Sequence, residues 1–193
     1  MKRMAGDDAA EVERARAGDQ AAFQGLVERH SRTVFRLAYR MTGNESDAED
    51  VVQDTFLKAY RRLDQFELRA NFGSWLYRIA ANSAYDLLRL RARREEQPIA
   101  EDDAESERPL PPSTDPAPDR LLFSEEVRRR VKSAMARLSD RERSAFVLRH
   151  HEGMTIEEIA EALGLDVNAT KQSIFRAVRK MREALAPMAG LTS

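Results

Sequence analysis

The chain reads as all-α, built as two small helical domains joined by an acidic, proline-rich linker. Three observations predict this: apolar residues recur at helical spacing over long stretches, no run alternates apolar with polar as a sheet would, and prolines and acids crowd into one internal segment. Of the seven prolines, six (98, 109, 111, 112, 116 and 118) fall within residues 95–119, together with nine acids against Arg108 alone. That segment has a net charge of −8, which leaves +7 on the remainder of a chain whose total is −1. Near-neutral overall charge is therefore no argument against a polyanionic partner, because the two signs are segregated.

Residues 1–18 run quickly into charge, offer no apolar signal core, and are expected to form a flexible N-terminal segment. A first helix is predicted from about Asp19 to Met41, with Phe23, Leu26, Val27, Val34, Leu37, Ala38 and Met41 inward and Gly43-Asn44 closing it. A second opens with Ser46 and Glu49 at capping-box spacing and runs to about Leu63, its inner face being Ala48, Val51, Val52, Thr55, Phe56, Ala59 and Leu63. Its outer face gathers Asp50, Gln53, Asp54, Leu57 and Arg61. A large apolar residue among charges suits a protein partner; a solvated helix with one stray leucine gives the same pattern.

A turn at residues 66–70 and the stretch Asn71-Phe72-Gly73-Ser74-Trp75 lead into a helix ending near Arg94. Trp75, Leu76, Ile79, Ala80, Leu87 and Leu88 can form its buried side, while Arg89, Arg91, Arg93 and Arg94 load its C-terminal end. Aromatic rings beside a basic helix fit single-stranded nucleic acid, where unstacked bases meet rings and arginines hold the backbone. Phe66, Phe72 and Trp75 can equally be core.

After the linker, Thr155 to Arg176 has the pattern of a helix-turn-helix. Thr155 and Glu158 form a capping box, Ile156, Ile159, Ala160 and Leu163 share a face, and Gly164 can take the left-handed conformation that ends the helix. In the second helix Ile174, Val178, Met181 and Leu185 form an apolar stripe opposite Asn168, Gln172, Phe175, Arg176 and Arg179. No acid interrupts the run between Asp166 and Glu183, which suits a helix lying among phosphates. An ordinary helical hairpin with a solvated basic side is the bland alternative. The chain thus divides into a segment 1–18, a domain 19–94, a linker 95–119, a domain 120–187 and a tail 188–193.

In this order, Asp19-Gln20-Ala21-Ala22-Phe23, then residues 47–60 (DAEDVVQDTFLKAY), then residues 72–82 (FGSWLYRIAAN) resemble the second-region domain of bacterial extracytoplasmic-function sigma factors of the sigma-70 family. The closing helix-turn-helix resembles their fourth-region domain. The resemblance implies a factor that binds core RNA polymerase and directs promoter recognition and melting. Asp50, Gln53, Asp54 and Leu57 would dock on the clamp helices of the largest subunit, with the flap region as a further polymerase contact. Residues 66–74, with Phe66, Asn71, Phe72 and Ser74, and beside them Trp75, would contact the melted minus-ten strand. Asn82 would meet a flipped base, and Arg89, Arg91, Arg93 and Arg94 the phosphates. Asn168, Lys171, Gln172, Phe175, Arg176 and Arg179 would contact the minus-thirty-five duplex. The linker would thread toward the polymerase active site and the RNA exit path, and an anti-sigma factor is an implied partner. Two departures appear: Lys171-Gln172-Ser173 stands where the family often has Lys-Ser-Arg, and Asn168-Ala169-Thr170 where Gly-Thr-Val is usual. The binding mode carries over; the base preference does not.

Enzymatic readings find little support. Cysteine is absent, the eight glycines form no phosphate loop, and neither cofactor nor metal is implied. His30 is expected at a surface or boundary, and the adjacent His150 and His151 lie about 100° apart on a helix, poorly placed to share a metal. With no run of membrane-spanning length, a cytoplasmic protein is expected. Two other classes remain: a stand-alone DNA-binding regulator with a sensor or dimerisation domain, and an adaptor that sequesters proteins through the Leu57 face.

Overall fold

The computed structural model describes residues 4–68, 70–95 and 118–189. Among these it contains α-helices, one 3-10 turn and no strand. The helices are α1 (Met4–Arg16), α2 (Gln20–Thr42), α3 (Glu45–Arg61), α4 (Phe72–Glu95), α5 (Pro118–Ala136), α6 (Asp140–His150), α7 (Ile156–Leu163) and α8 (Val167–Ala189). They form two compact units, one of α1–α4 and one of α5, α6, α8 and the greater part of α7. Nearly all of the expected linker and tail lies outside the described residues. No helix among the described residues is long and apolar enough to cross a membrane.

In the first unit α2, α3 and α4 pack on one another through the apolar stripes that their spacing predicts. Leu26, Val34, Leu37, Ala38 and Met41 of α2 meet Ala48, Val51, Thr55, Phe56 and Ala59 of α3 and Leu76, Ala80, Ala84, Tyr85 and Leu88 of α4, all buried. Asp19 caps α2 by accepting from the Ala22 amide at 3.1 Å. Arg14, and after it that amide, holds the Asp19 carboxyl below its ordinary pKa. Gly43, at φ 73°, closes the helix by donating to the Tyr39 carbonyl. The cap of α3 is not Ser46. Asn44 accepts from the Asp47 amide at 3.0 Å, so α3 begins one residue after the Gly43 turn.

The expectation of a flexible residue 1–18 segment is corrected: Met4–Arg16 is the helix α1, packed on α2. Among its residues whose burial is described, Val12 and Ala15 are the buried apolar ones. Charge adds to this. Arg29 of α2 donates to Asp8 at 2.5 Å and Glu11 at 2.8 Å, and these two carboxylates, Glu11 first, raise its pKa further above the usual arginine value.

In the second unit α8 packs on α5 and α6 over a cluster of Ala134, Leu138, Ala177 and Met181, flanked by Val131, Met135, Phe146, Ala184 and Leu185. Ser139 and Glu142 form a capping box at the start of α6. Glu142 also accepts from Lys180 of α8 at 2.6 Å. Burial pushes the Glu142 carboxyl up, but the hydrogen bond from Lys180, then the Ser139 amide, outweigh it and leave the pKa below the usual 4.5. A depressed carboxylate stabilises the fold above its unfolded pKa and loses that contribution as pH falls through the folded one. Glu142→Gln should therefore lower stability at pH 7 by about 1 kcal/mol, a modest figure because Lys180 is over a third exposed. In thermal unfolding of the full chain, the gap from wild type should close as pH falls below 4.5; a gap unchanged down to strong acid would remove the carboxylate from the account.

Candidate nucleic-acid and protein interfaces

On α3, Asp50, Gln53 and Leu57 stand outward at the spacing of one helical face, and Leu57 is 56% exposed. Asp54 is less free than its neighbours. It pairs with Lys58 at 2.6 Å, and Lys58 donates in turn to the buried Ser83 hydroxyl of α4 at 3.0 Å. Beside this face a shallow groove between α2 and α3 is lined by Ser31, Arg32, Phe35, Glu49, Val52 and Gln53. The sequence reading missed Tyr60, which is 51% exposed with its ring edge-on to Phe23 at 4.9 Å. Its neighbour Leu57 drew the attention, and only the folded position of Phe23 shows what Tyr60 rests on.

The loop between α3 and α4 differs from the expectation in the roles of its rings. Phe66 and Phe72 are buried, and with the half-buried Trp75 they form a triangle of centroids 5.2–5.6 Å apart. Phe66 and Phe72 thus support the loop and are covered against stacking on a base. Asn71 caps α4: its side-chain oxygen accepts from the Ser74 amide at 2.9 Å, and its carbonyl from Trp75 at 3.1 Å. The helix consequently starts at Phe72 rather than after Trp75.

Along α4, Trp75, Asn82, Arg89 and Arg93 recur at seven- and four-residue intervals and share one face. Asn82, Arg89, Arg93 and Arg94 are exposed. Arg91 lies well round the helix from that stripe and is ion-paired with Asp47 of α3, so it fastens the end of α4 to the start of α3. The structure thus separates Arg91 from the arginines with which the sequence grouped it.

In the second unit, Thr155 and Glu158 form the expected reciprocal cap, at 2.9 and 3.2 Å. Gly164, at φ 60°, allows the Leu165 amide to return to the Ala160 carbonyl at 2.9 Å, which ends α7 sharply. Asp166 then caps α8 by accepting from the Ala169 amide at 2.9 Å. Asn168, Lys171, Gln172, Phe175, Arg176 and Arg179 are all exposed, and Phe175 at 68% is the most exposed large apolar residue described. Arg179 lies 3.8 Å from Glu183. The packing stripe sits one residue round from the predicted one: Thr170, Ser173, Ala177 and Met181 are buried, whereas Ile174, Val178 and Leu185 are half-buried.

Two helical units in one chain, the second a helix-turn-helix with an exposed polar face on its second helix, have the build of a DNA-binding transcription factor. Its residues 26–94 match Sigma-70 region 2, and residues 128–181 match Sigma-70, region 4. The RNA polymerase sigma-H factor of Pseudomonas aeruginosa is 34% identical over 92% of this chain and 93% of that protein. The ECF RNA polymerase sigma factor SigE of Mycolicibacterium smegmatis is also 34% identical, over 88% of this chain, which spans 65% of that longer protein. Among solved structures, the sigma factor RpoE of Bartonella quintana, in complex with the anti-sigma factor NepR, superposes with a TM-score of 0.60 at 26% identity, covering 85% of this chain and 96% of that one. The chain belongs to the extracytoplasmic-function sigma factors of the sigma-70 family.

Proposed function

We propose that this chain is an alternative sigma factor whose two units divide the work of initiation. Residues 19–94, braced by α1, bind core RNA polymerase and the minus-ten element; residues 120–187 bind the minus-thirty-five duplex. Asp50, Gln53 and Leu57 dock on the clamp helices, Asp54 setting the charge of that face through Lys58. The α4 stripe of Trp75, Asn82, Arg89 and Arg93 follows the melted strand, Asn82 offering a donor and an acceptor to a flipped base. Lys171, Gln172, Phe175 and Arg176 enter the major groove. The polymerase supplies the chemistry, and the protein works where the polymerase is, in the cytoplasm. An anti-sigma factor fits the same exposed helix faces when the chain is off the polymerase.

The carrying observation is that α3 and α8 each present an exposed large apolar residue, Leu57 and Phe175, within a polar face suited to a different partner. The test is run-off transcription from genomic fragments with core polymerase and the full chain, mapping open complexes by permanganate reactivity of unpaired thymines. Asn82→Ala should cut opening by the equivalent of about 1–3 kcal/mol while polymerase association persists. Opening indifferent to Asn82, on promoters that the wild type melts, would remove it from the site.

A further inference from the structure

The loop that joins α3 to α4 is held by α1, a helix that lies ahead of the residues matched as region 2, directly at its start and through His30 of α2 at its far end. Arg16, in the last turn of α1, reaches across 47 residues of sequence to the start of the loop. Its Nε donates to the Leu63 carbonyl at 2.9 Å. One terminal nitrogen donates to the Phe66 carbonyl, and the Asp64 carbonyl lies 3.5 Å from it. A planar guanidinium suits this work, because its fork of donors can fix several carbonyls in one geometry. At the far end the buried Asp8 of α1 lies 3.1 Å from His30 Nε2. The His30 ring packs edge-on to Phe72 at 5.4 Å, and a Cβ added at Gly73 would sit 3.6 Å from its Cε1. His30 is therefore a largely enclosed boundary residue, its side chain 12% exposed.

We propose that α1 is a brace that sets the conformation of the 63–73 loop, with Arg16 a positioning residue for minus-ten base selection that acts through the Leu63 and Phe66 carbonyls and does not touch DNA. The two grips fall on either side of Glu67 and Leu68, both exposed. Phe66, directly before them, packs against Phe72 and Trp75, so a shift of its carbonyl moves the rings and these two residues together. The inference rests on the proposed minus-ten role of residues 19–94, and on this loop meeting the melted strand beside the α4 stripe as the family resemblance implies.

The test compares wild type, Arg16→Ala and Arg16→Lys as holoenzymes on promoters recovered by run-off and on single-base variants of their minus-ten elements. Arg16→Ala should reduce discrimination between promoter and variants by about 3- to 30-fold. Core association and protection of the minus-thirty-five element should be unchanged. Arg16→Lys, which keeps the charge and loses the fork, should fold as wild type and still lose part of the discrimination. An equal loss on every promoter that follows a fall in Tm would reduce Arg16 to a fold-stabilising residue and overturn the proposal. A double change of Glu67 and Leu68 to Ala separates the two levels. If it shifts base preference and neither Arg16 change does, the brace is wrong and the loop reading stands. If it shifts nothing, the loop does not read the strand and both fall.

Discussion

Leu57→Asp should abolish promoter-specific transcription while leaving the protein folded. The residue is 56% exposed at the centre of the α3 face, so the fold has little to lose, within about 0.5 kcal/mol for a surface change. An interface has much more at stake. A large apolar side chain covered by a partner acts as an anchor, and a carboxylate in its place must be desolvated against an apolar contact while adding charge beside Asp50 and Asp54. A cost of at least about 2 kcal/mol, roughly 30-fold in affinity, is expected. Titration of labelled core polymerase with wild type, Leu57→Ala and Leu57→Asp should rank them in that order, with unchanged Tm. Equal affinity across the series would move the docking surface elsewhere, the groove beside Phe35 and Gln53 being the adjacent candidate.

Arg176→Ala should weaken holoenzyme binding to the minus-thirty-five element by about 1–3 kcal/mol and relax the base preference at one position. The side chain is exposed in the first half of α8, one helical turn beyond Gln172 on the exposed side that also carries Lys171 and Phe175. In a helix-turn-helix, the N-terminal residues of the second helix are the ones that reach base edges. A phosphate contact behaves differently: it weakens every sequence alike and lowers the salt slope by about one. Salt titrations on matched and mismatched duplexes therefore distinguish the two roles. Uniform weakening with a reduced slope would make Arg176 a backbone contact, and no change would place it outside the interface.

The sequence disclosed α2, α3 and α4 because each carries a long stripe of large apolar residues with a clear cap or stop. It concealed α1, which buries Val12 and Ala15 among its described side chains and joins α2 through Asp8 and Glu11 meeting Arg29, an encounter no local pattern records. The cap of α3 was misplaced for a related reason. Ser46 and Glu49 have the right spacing, yet Asn44 stands directly after the Gly43 turn and satisfies the free amides first. On α8 the largest apolar residues carry the sequence signal, whereas the fold buries small ones most completely, Ala177 in the cluster with α5 and Thr170 and Ser173 besides. The exposed polar face opposite was legible nonetheless, because a one-residue shift of the stripe moves its limits more than its middle. Phe66 and Phe72 were assigned to DNA by resemblance, though the residues themselves had left a core role open; their mutual packing shows why they lie covered.

On α8, burial and exposure fall to different side chains. Thr170, Ser173, Ala177 and Met181 secure the helix, while Asn168, Lys171, Gln172, Phe175 and Arg176 stand clear of the core. Substitutions among the second group cost little folding energy, so if this face reads DNA as proposed, descendants of this chain can drift to new promoter alphabets one letter at a time, each intermediate still a stable protein.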